Sequence, residues 1–207
     1  MHAPPTPISV AVEGPTDEAV AKRLITYSGG QVKAVYGKQG KPHLRRLTPG
    51  YAHAARFAPW LILVDLDHDF DCAPPLRAHW QVPAAGQLCF RVAVREIEAW
   101  LLADSQTLAA FLSIRQALIP PNPEALDAPK RKMVDIAAQS RRRAIRQDFV
   151  PRAGSGRTVG PGYTSRVAEF VRDHWRPNTA AQRSASLRRA VDCLRNLVQS
   201  GSGPPPS

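Results

Sequence analysis

Trp60-Leu-Ile-Leu-Val64 is the most strongly apolar short run in the chain, and it passes without a break into Asp65-Leu-Asp-His-Asp-Phe-Asp71. Five apolar residues are too few for a helix, and a run without polar alternation reads as a strand covered on both faces. Such a strand belongs inside a sheet flanked by helices, and its acidic continuation lies where the strand ends. In open parallel sheets that edge is where ligands bind.

The rest of the first hundred residues repeats the theme. Ile8-Ser-Val-Ala-Val12 predicts a buried strand, broken by Glu13-Gly-Pro15. Thr16 is expected to cap a helix with Asp17 and Glu18 in its first turn, Val20, Leu24 and Tyr27 on one face, and Gly29-Gly30 at its end. Residues 32–36 read as a second strand, and a basic helix falls within 42–57. Residues 88–94 read as a further strand passing straight into Arg95-Glu-Ile-Glu-Ala-Trp-Leu-Leu-Ala-Asp104, helical by the spacing of Ile97, Trp100 and Leu101, with Trp100 in the core. Strands alternating with helices predict an α/β layer around a largely parallel sheet.

Beyond residue 110 the pattern is helical. Pro120-Pro-Asn-Pro123 reads as a linker or loop, 130–146 as a basic helical region, and 153–162 as a glycine-rich loop. Helices are expected over 165–175 and 186–198, and a frayed, disordered tail over 200–207. The organisation expected is an α/β domain over 7–104 and a helical basic extension over 105–199.

Composition narrows the class. Of 207 residues 43% are apolar, enough for a core and too many for a disordered chain. No apolar run approaches the roughly 20 residues of a membrane helix, and Met1-His-Ala-Pro-Pro-Thr-Pro7 lacks the features of a signal peptide. Cys72, Cys89 and Cys193 are odd in number and scattered, which reads as free thiols in a reducing compartment. A cytoplasmic location is the expectation.

The chemistry sits in carboxylates placed at strand ends. Glu13 follows the first strand, Asp65 and Asp67 the strongest one, and Glu96 and Glu98 the last. Crowded carboxylates repel one another and call for a cation, and an oxygen-only set favours Mg²⁺ or Mn²⁺ over zinc. Two competing readings of the Asp run can be checked in the chain. An EF-hand loop starting at Asp65 requires Gly at its sixth position and Glu at its twelfth, where Phe70 and Leu76 stand. A haloacid-dehalogenase phosphatase also begins with a strand and Asp-x-Asp, but Asp69 stands where it wants Thr or Val, and the second half has no adjacent acidic pair.

Glu13-Gly14 after one strand and Asp65-Leu-Asp67 after another, roughly fifty residues on, resemble the TOPRIM domain of topoisomerases, bacterial primases and OLD-family nucleases. Glu13-Gly-Pro-Thr-Asp17 and the stretch 95–104 resemble the OLD branch. Gly37-Lys38 and Ser184-Ala-Ser186-Leu187 resemble an uncharacterised TOPRIM-like family encoded beside ATPases. The TOPRIM resemblance spans about residues 7–104. It implies a TOPRIM-like open, largely parallel sheet flanked by helices, with a helical C-terminal extension. It makes Glu13 a metal ligand or general base and Asp65 and Asp67 a metal-binding pair. Asp17 with Glu96 or Glu98 would complete a second metal site, and the nucleases of this branch also use a later Lys, for which Lys130 and Lys132 are the candidates. Residues two apart on one helix point to opposite sides, so Glu96 and Glu98 can share an ion only if the strand-to-helix turn falls between them.

Charge supplies the partner. The chain carries 28 basic and 17 acidic residues; through Asp104 the two nearly balance at 11 and 10, and from Ser105 onward they stand at 17 and 7. An acidic site joined to a basic half fits a polyanionic substrate, DNA or RNA, with Arg141, Arg142, Arg143, Arg146 and Arg157 as candidate backbone contacts. Gly154-Ser-Gly-Arg-Thr158 lacks the first Gly and the Lys of a nucleotide-binding loop. The expected activity is therefore divalent-metal-dependent hydrolysis of phosphodiesters, with a separate ATPase as partner and, by the resemblance, a place in anti-phage defence. The alternatives are a non-catalytic regulatory subunit that binds metal and nucleic acid within an ATPase complex and, behind it, a haloacid-dehalogenase-like phosphatase. Asp69 and Asp71 are outer-shell or plain loop candidates, and His68 is an extra ligand or an exposed loop residue.

Overall fold

The computed structural model describes residues 4–201, which divide into two compact units. The first takes the chain up to Val92 together with the residues from Arg188 onward, and the second takes Ala93–Leu187. The break expected after residue 104 thus differs from this division, which returns most of the last helix to the sheet.

In the first unit β1 (Thr6–Val12), α1 (Pro15–Tyr27), β2 (Gly30–Gly37), α2 (Lys41–Ala54), β3 (Trp60–Asp65), α3 (Ala73–His79) and β4 (Leu88–Ala93) follow one another. Their strands form a four-stranded parallel sheet in the order β2-β1-β3-β4. β1 runs parallel to β2 and β3, with Val10 opposite Val35 on one side and Leu61 on the other. β3 is buried along its whole length, as a central strand covered on both faces must be. α1 packs on β1, β2 and β3, and α2 on β1 and β3. The connection β1 to β2 moves one way across the sheet and β2 to β3 the other, so right-handed crossovers place α1 and α2 on opposite faces.

α1 starts earlier than the sequence suggests. Pro15 is its first residue, Gly14 is the N-cap, and Asp17 Oδ2 accepts the Gly14 amide hydrogen at 2.8 Å. Asp17 supplies the capping oxygen expected of Thr16, and the fixed φ of Pro15 suits the first helical position.

The second unit is helical: α4 (Ile97–Ala103), α5 (Ser105–Leu112), 3₁₀ turns at Gln116–Leu118 and Pro123–Ala125, α6 (Pro129–Ala137), α7 (Arg143–Phe149), α8 (Tyr163–Asp173) and α9 (Pro177–Ala181). Every residue of α4 is buried, and it packs on α5, α6, α9 and the second 3₁₀ turn, the behaviour of a helix apolar all round. Trp100 is core, its Nε1 donating to Ser186 Oγ at 2.7 Å. Asp104, fully buried, accepts from the Arg176 backbone amide at 2.9 Å and from its Nη2 at 2.7 Å. The region 130–146 is two helices, broken around Ser140, whose hydroxyl donates to the Leu112 carbonyl.

α10 (Ala185–Gly201) begins in the second unit, where Glu124 accepts from the Ala185 and Ser186 amides and from Ser184 Oγ. The Ser184-Ala-Ser186 motif is therefore a capped helix start. Residues 200 and 201 continue this helix; the remainder of the tail expected over 200–207 lies outside the described residues. Among the described residues no helix is long and apolar enough to cross a membrane.

Candidate active site

The strand order changes direction between β1 and β3, the switch point at which open α/β sheets bind ligands beyond the strand ends. Glu13 is the first residue past β1 and Asp65 the last of β3. They meet: the Asp65 amide donates to Glu13 Oε1 at 2.9 Å, joining positions 52 apart in the chain. The end of β2 secures this corner. The Lys38 and Gly40 amides donate to the carbonyls of Val12 at 2.9 Å and Glu13 at 3.0 Å. Gly37 has φ +86°, and a β-carbon there would collide with the Val12 carbonyl. Only glycine fits so close an approach.

Beyond β3 the chain turns sharply, with Asp67 at φ +51°, a conformation that Asp tolerates better than most residues. Lys41, the first residue of α2, reaches this turn. Its Nζ lies 2.8 Å from Asp67 Oδ2 and 2.7 Å from Asp69 Oδ2, and it donates to the Leu66 carbonyl at 3.3 Å. Glu13 pays for its neighbours. Burial raises its pKa to about 7 against the pull of the Asp65 amide, and the charges of Asp17 and Asp67 add to the rise while Lys41 opposes it. Glu13, Asp17, Asp65 and Asp67 thus share one neighbourhood in the first unit.

Glu96 and Glu98 belong to the second unit. Glu96 is the N-cap of α4 and Glu98 lies in its first turn, so the strand-to-helix turn does fall between them. Both face one cation: Lys130 Nζ is 3.7 Å from Glu96 Oε1 and 3.7 Å from Glu98 Oε1. The Lys130 amide also donates to Glu96 Oε2 at 2.7 Å, which fastens the start of α6 to this acid. Glu98 is fully buried; Tyr163 Oη donates to its Oε1 at 2.8 Å, and its Oε2 has no hydrogen-bond partner. Burial is the main cause that pushes its pKa up, with Lys130 pulling down and Glu96 pushing up.

Two members of these clusters had no sequence signal. Tyr163 stands 65 positions from Glu98, and Lys41 26 from Asp67. Of the remaining candidates, Asp71 and His68 are exposed, and Asp69 is tied to the site only through Lys41. Arg141, Arg142, Arg143 and Arg157 are exposed; Arg146 is half-buried and donates to the Ser140 carbonyl, bracing the α6–α7 break.

The donor chemistry fits a hard dication in kind. All the acids are oxygen donors, Glu13 is pushed toward its protonated form mainly by burial with Asp17 and Asp67 adding to it, and among the described residues Glu98 Oε2 finds no hydrogen-bond partner. The described residues contain no group of three or more His, Cys, Asp or Glu arranged to hold an ion. Lysine ammonium groups, from Lys41 and Lys130, stand beside the acids in each unit.

No family model matches the chain, and no curated protein matches it. Among solved structures it is similar to the C-terminal region of the Burkholderia pseudomallei OLD protein, at 15% identity over 93% of this chain and 98% of that one. The TM-score of 0.46 is too low for this likeness to carry an argument about activity.

Proposed function

We propose that the chain is a divalent-metal-dependent nuclease that hydrolyses phosphodiester bonds of DNA or RNA. The observation behind this reading is the meeting of Glu13 and Asp65 at the switch point of the sheet, with Asp17 and Asp67 close enough to perturb Glu13. Asp65 and Asp67 would hold one Mg²⁺ or Mn²⁺, with Glu13 as a further ligand or as the general base and Asp17 beside them. A bound dication would lower the pKa of a water and stabilise the leaving oxygen. The chain's own part is to fix these carboxylates from the backbone: the Asp65 amide orients Glu13, and the turn at Asp67 aims that acid. As the general base, off the ion, Glu13 with its pKa near 7 can accept a proton from an attacking water at neutral pH. Lys41 and Lys130 are positioned to attract phosphate once their acids are otherwise engaged. The family resemblance extends the reading to a separate ATPase partner and to defence against phage.

The test is incubation of the purified chain with plasmid, linear single strands and RNA in Mg²⁺ or Mn²⁺. Cleavage is expected, falling at least about 100-fold in Asp65→Ala, the scale of losing one electrostatic contact to the transition state. Absence of cleavage by the wild-type chain with its ATPase present, or undiminished cleavage by the variant, rejects the reading.

A second reading draws on Lys41. Its ammonium already neutralises Asp67 and Asp69, which suits a non-catalytic, nucleic-acid-binding subunit of an ATPase complex. Tight complex formation without turnover would favour it.

A further inference from the structure

Beside the acidic corner the first unit has a cleft of about 870 Å³. Its two walls differ in kind. One is the basic edge of α2, Lys41, Arg45 and Arg46; the other is Phe70, His79 and Trp80, from the segment after β3 and the end of α3. Phe70 and His79 form a ring pair with centroids 5.3 Å apart, and Trp80 is anchored edge-on against Phe90 at 5.8 Å. Arg45 and Arg46 are exposed, and among the described residues neither has a carboxylate partner. Arg166, Arg172 and Arg176 of the second unit, in contrast, are each paired to an acid. Lys41 and Asp69 line the cleft, and Lys41 also touches Asp67, so the cleft opens onto the acidic corner.

Uncompensated guanidinium groups facing an aromatic wall meet both parts of a nucleotide unit. Cations take the phosphate, and ring faces take a base of any identity. A duplex hides its base faces in the stack and cannot use the second wall. We propose that this cleft binds a single-stranded segment of nucleic acid, with phosphates on Arg45 and Arg46 and a base stacked on the Phe70–His79 pair. The strand so held leads toward Asp67. That last step rests on the nuclease reading above; the binding does not.

The experiment is fluorescence anisotropy of labelled 12-mers of dT and of U, against a 12-base-pair duplex, in EDTA so that no cleavage intervenes. Either single strand is expected to bind at least about 10-fold more tightly than the duplex. Phe70→Ala should weaken binding about 5- to 160-fold, the range for loss of one stacked base. Arg45→Ala with Arg46→Ala should lower the slope of log K against log salt by about 1.4, two phosphates' worth on a single strand. These arginines are exposed, so that variant keeps the test sound even if Phe70→Ala fails to fold. Asp65→Ala should retain binding, which separates this proposal from the fate of the nuclease reading. Equal affinity for the duplex overturns the proposal. So does binding unchanged by the α2 double variant and lost instead on substituting Arg141, Arg142 and Arg143.

Discussion

Glu13 shows how much of the site's character resides in one side chain. Its carboxylate is half-buried, accepts a single backbone hydrogen bond and faces two other acids, and its pKa rises to about 7. The folded state therefore holds a proton that the unfolded chain, with a carboxylate near 4.5, releases earlier. A raised pKa contributes its stability below the unfolded value and loses it as pH climbs toward the folded one. Without divalent cations, melting temperature should fall between about pH 4.5 and 7. In Glu13→Gln this decline should shrink, because the amide carbonyl can still accept from Asp65 and nothing remains to ionise. Thermal melts at half-unit pH steps measure it; an unchanged profile would mean that Glu13 is not perturbed. The same scale marks where sequence reasoning ended. Glu13, Asp65 and Asp67 are legible because each follows an apolar run. Tyr163 and Lys41 are not, because contacts across many residues leave no local pattern.

At the scale of elements, strands were the easiest to read. β1 and β3 are short, apolar and closed by polar residues, and burial on both faces leaves no alternation to misjudge. α3 and α9 leave no such signal: α3 carries two prolines and buries only Leu76, and α9 is five residues long, too short to show a helical period. The break between α6 and α7 was hidden as well, since its cause is the Ser140 contact with a distant carbonyl. Gly37 is an element-scale constraint with a direct test. Gly37→Ala forces a non-glycine residue to φ +86° and a β-carbon against the Val12 carbonyl. The backbone strain alone costs about 1–3 kcal/mol, so the variant should melt several degrees lower. A variant as stable as the parent would show that β2 does not close on Glu13 as described.

For the molecule as a whole, the prediction concerns cations. If carboxylates at the strand ends take a dication, Mn²⁺ at a hundredfold excess over its dissociation constant stabilises the folded chain by about 2.7 kcal/mol. The melting temperature should rise by about 5–10 °C at pH 8. Protons compete for the same oxygens, so the rise should nearly vanish at pH 5. A shift of equal size at both pH values points to binding elsewhere, and no shift at pH 8 removes the metal from the site.

The first unit is assembled from both ends of the described chain, and the Thr6 hydroxyl donates to the Val198 carbonyl across 192 positions. On the ribosome, which releases the chain from its amino end, β1 emerges well before its partner on α10. Residues 93–187 emerge in between and can collapse around α4 while the first unit still lacks α10. Between these two units the order of completion thus runs opposite to the order of synthesis: β1 precedes the whole second unit on the chain and waits for α10, which follows it, to finish its packing.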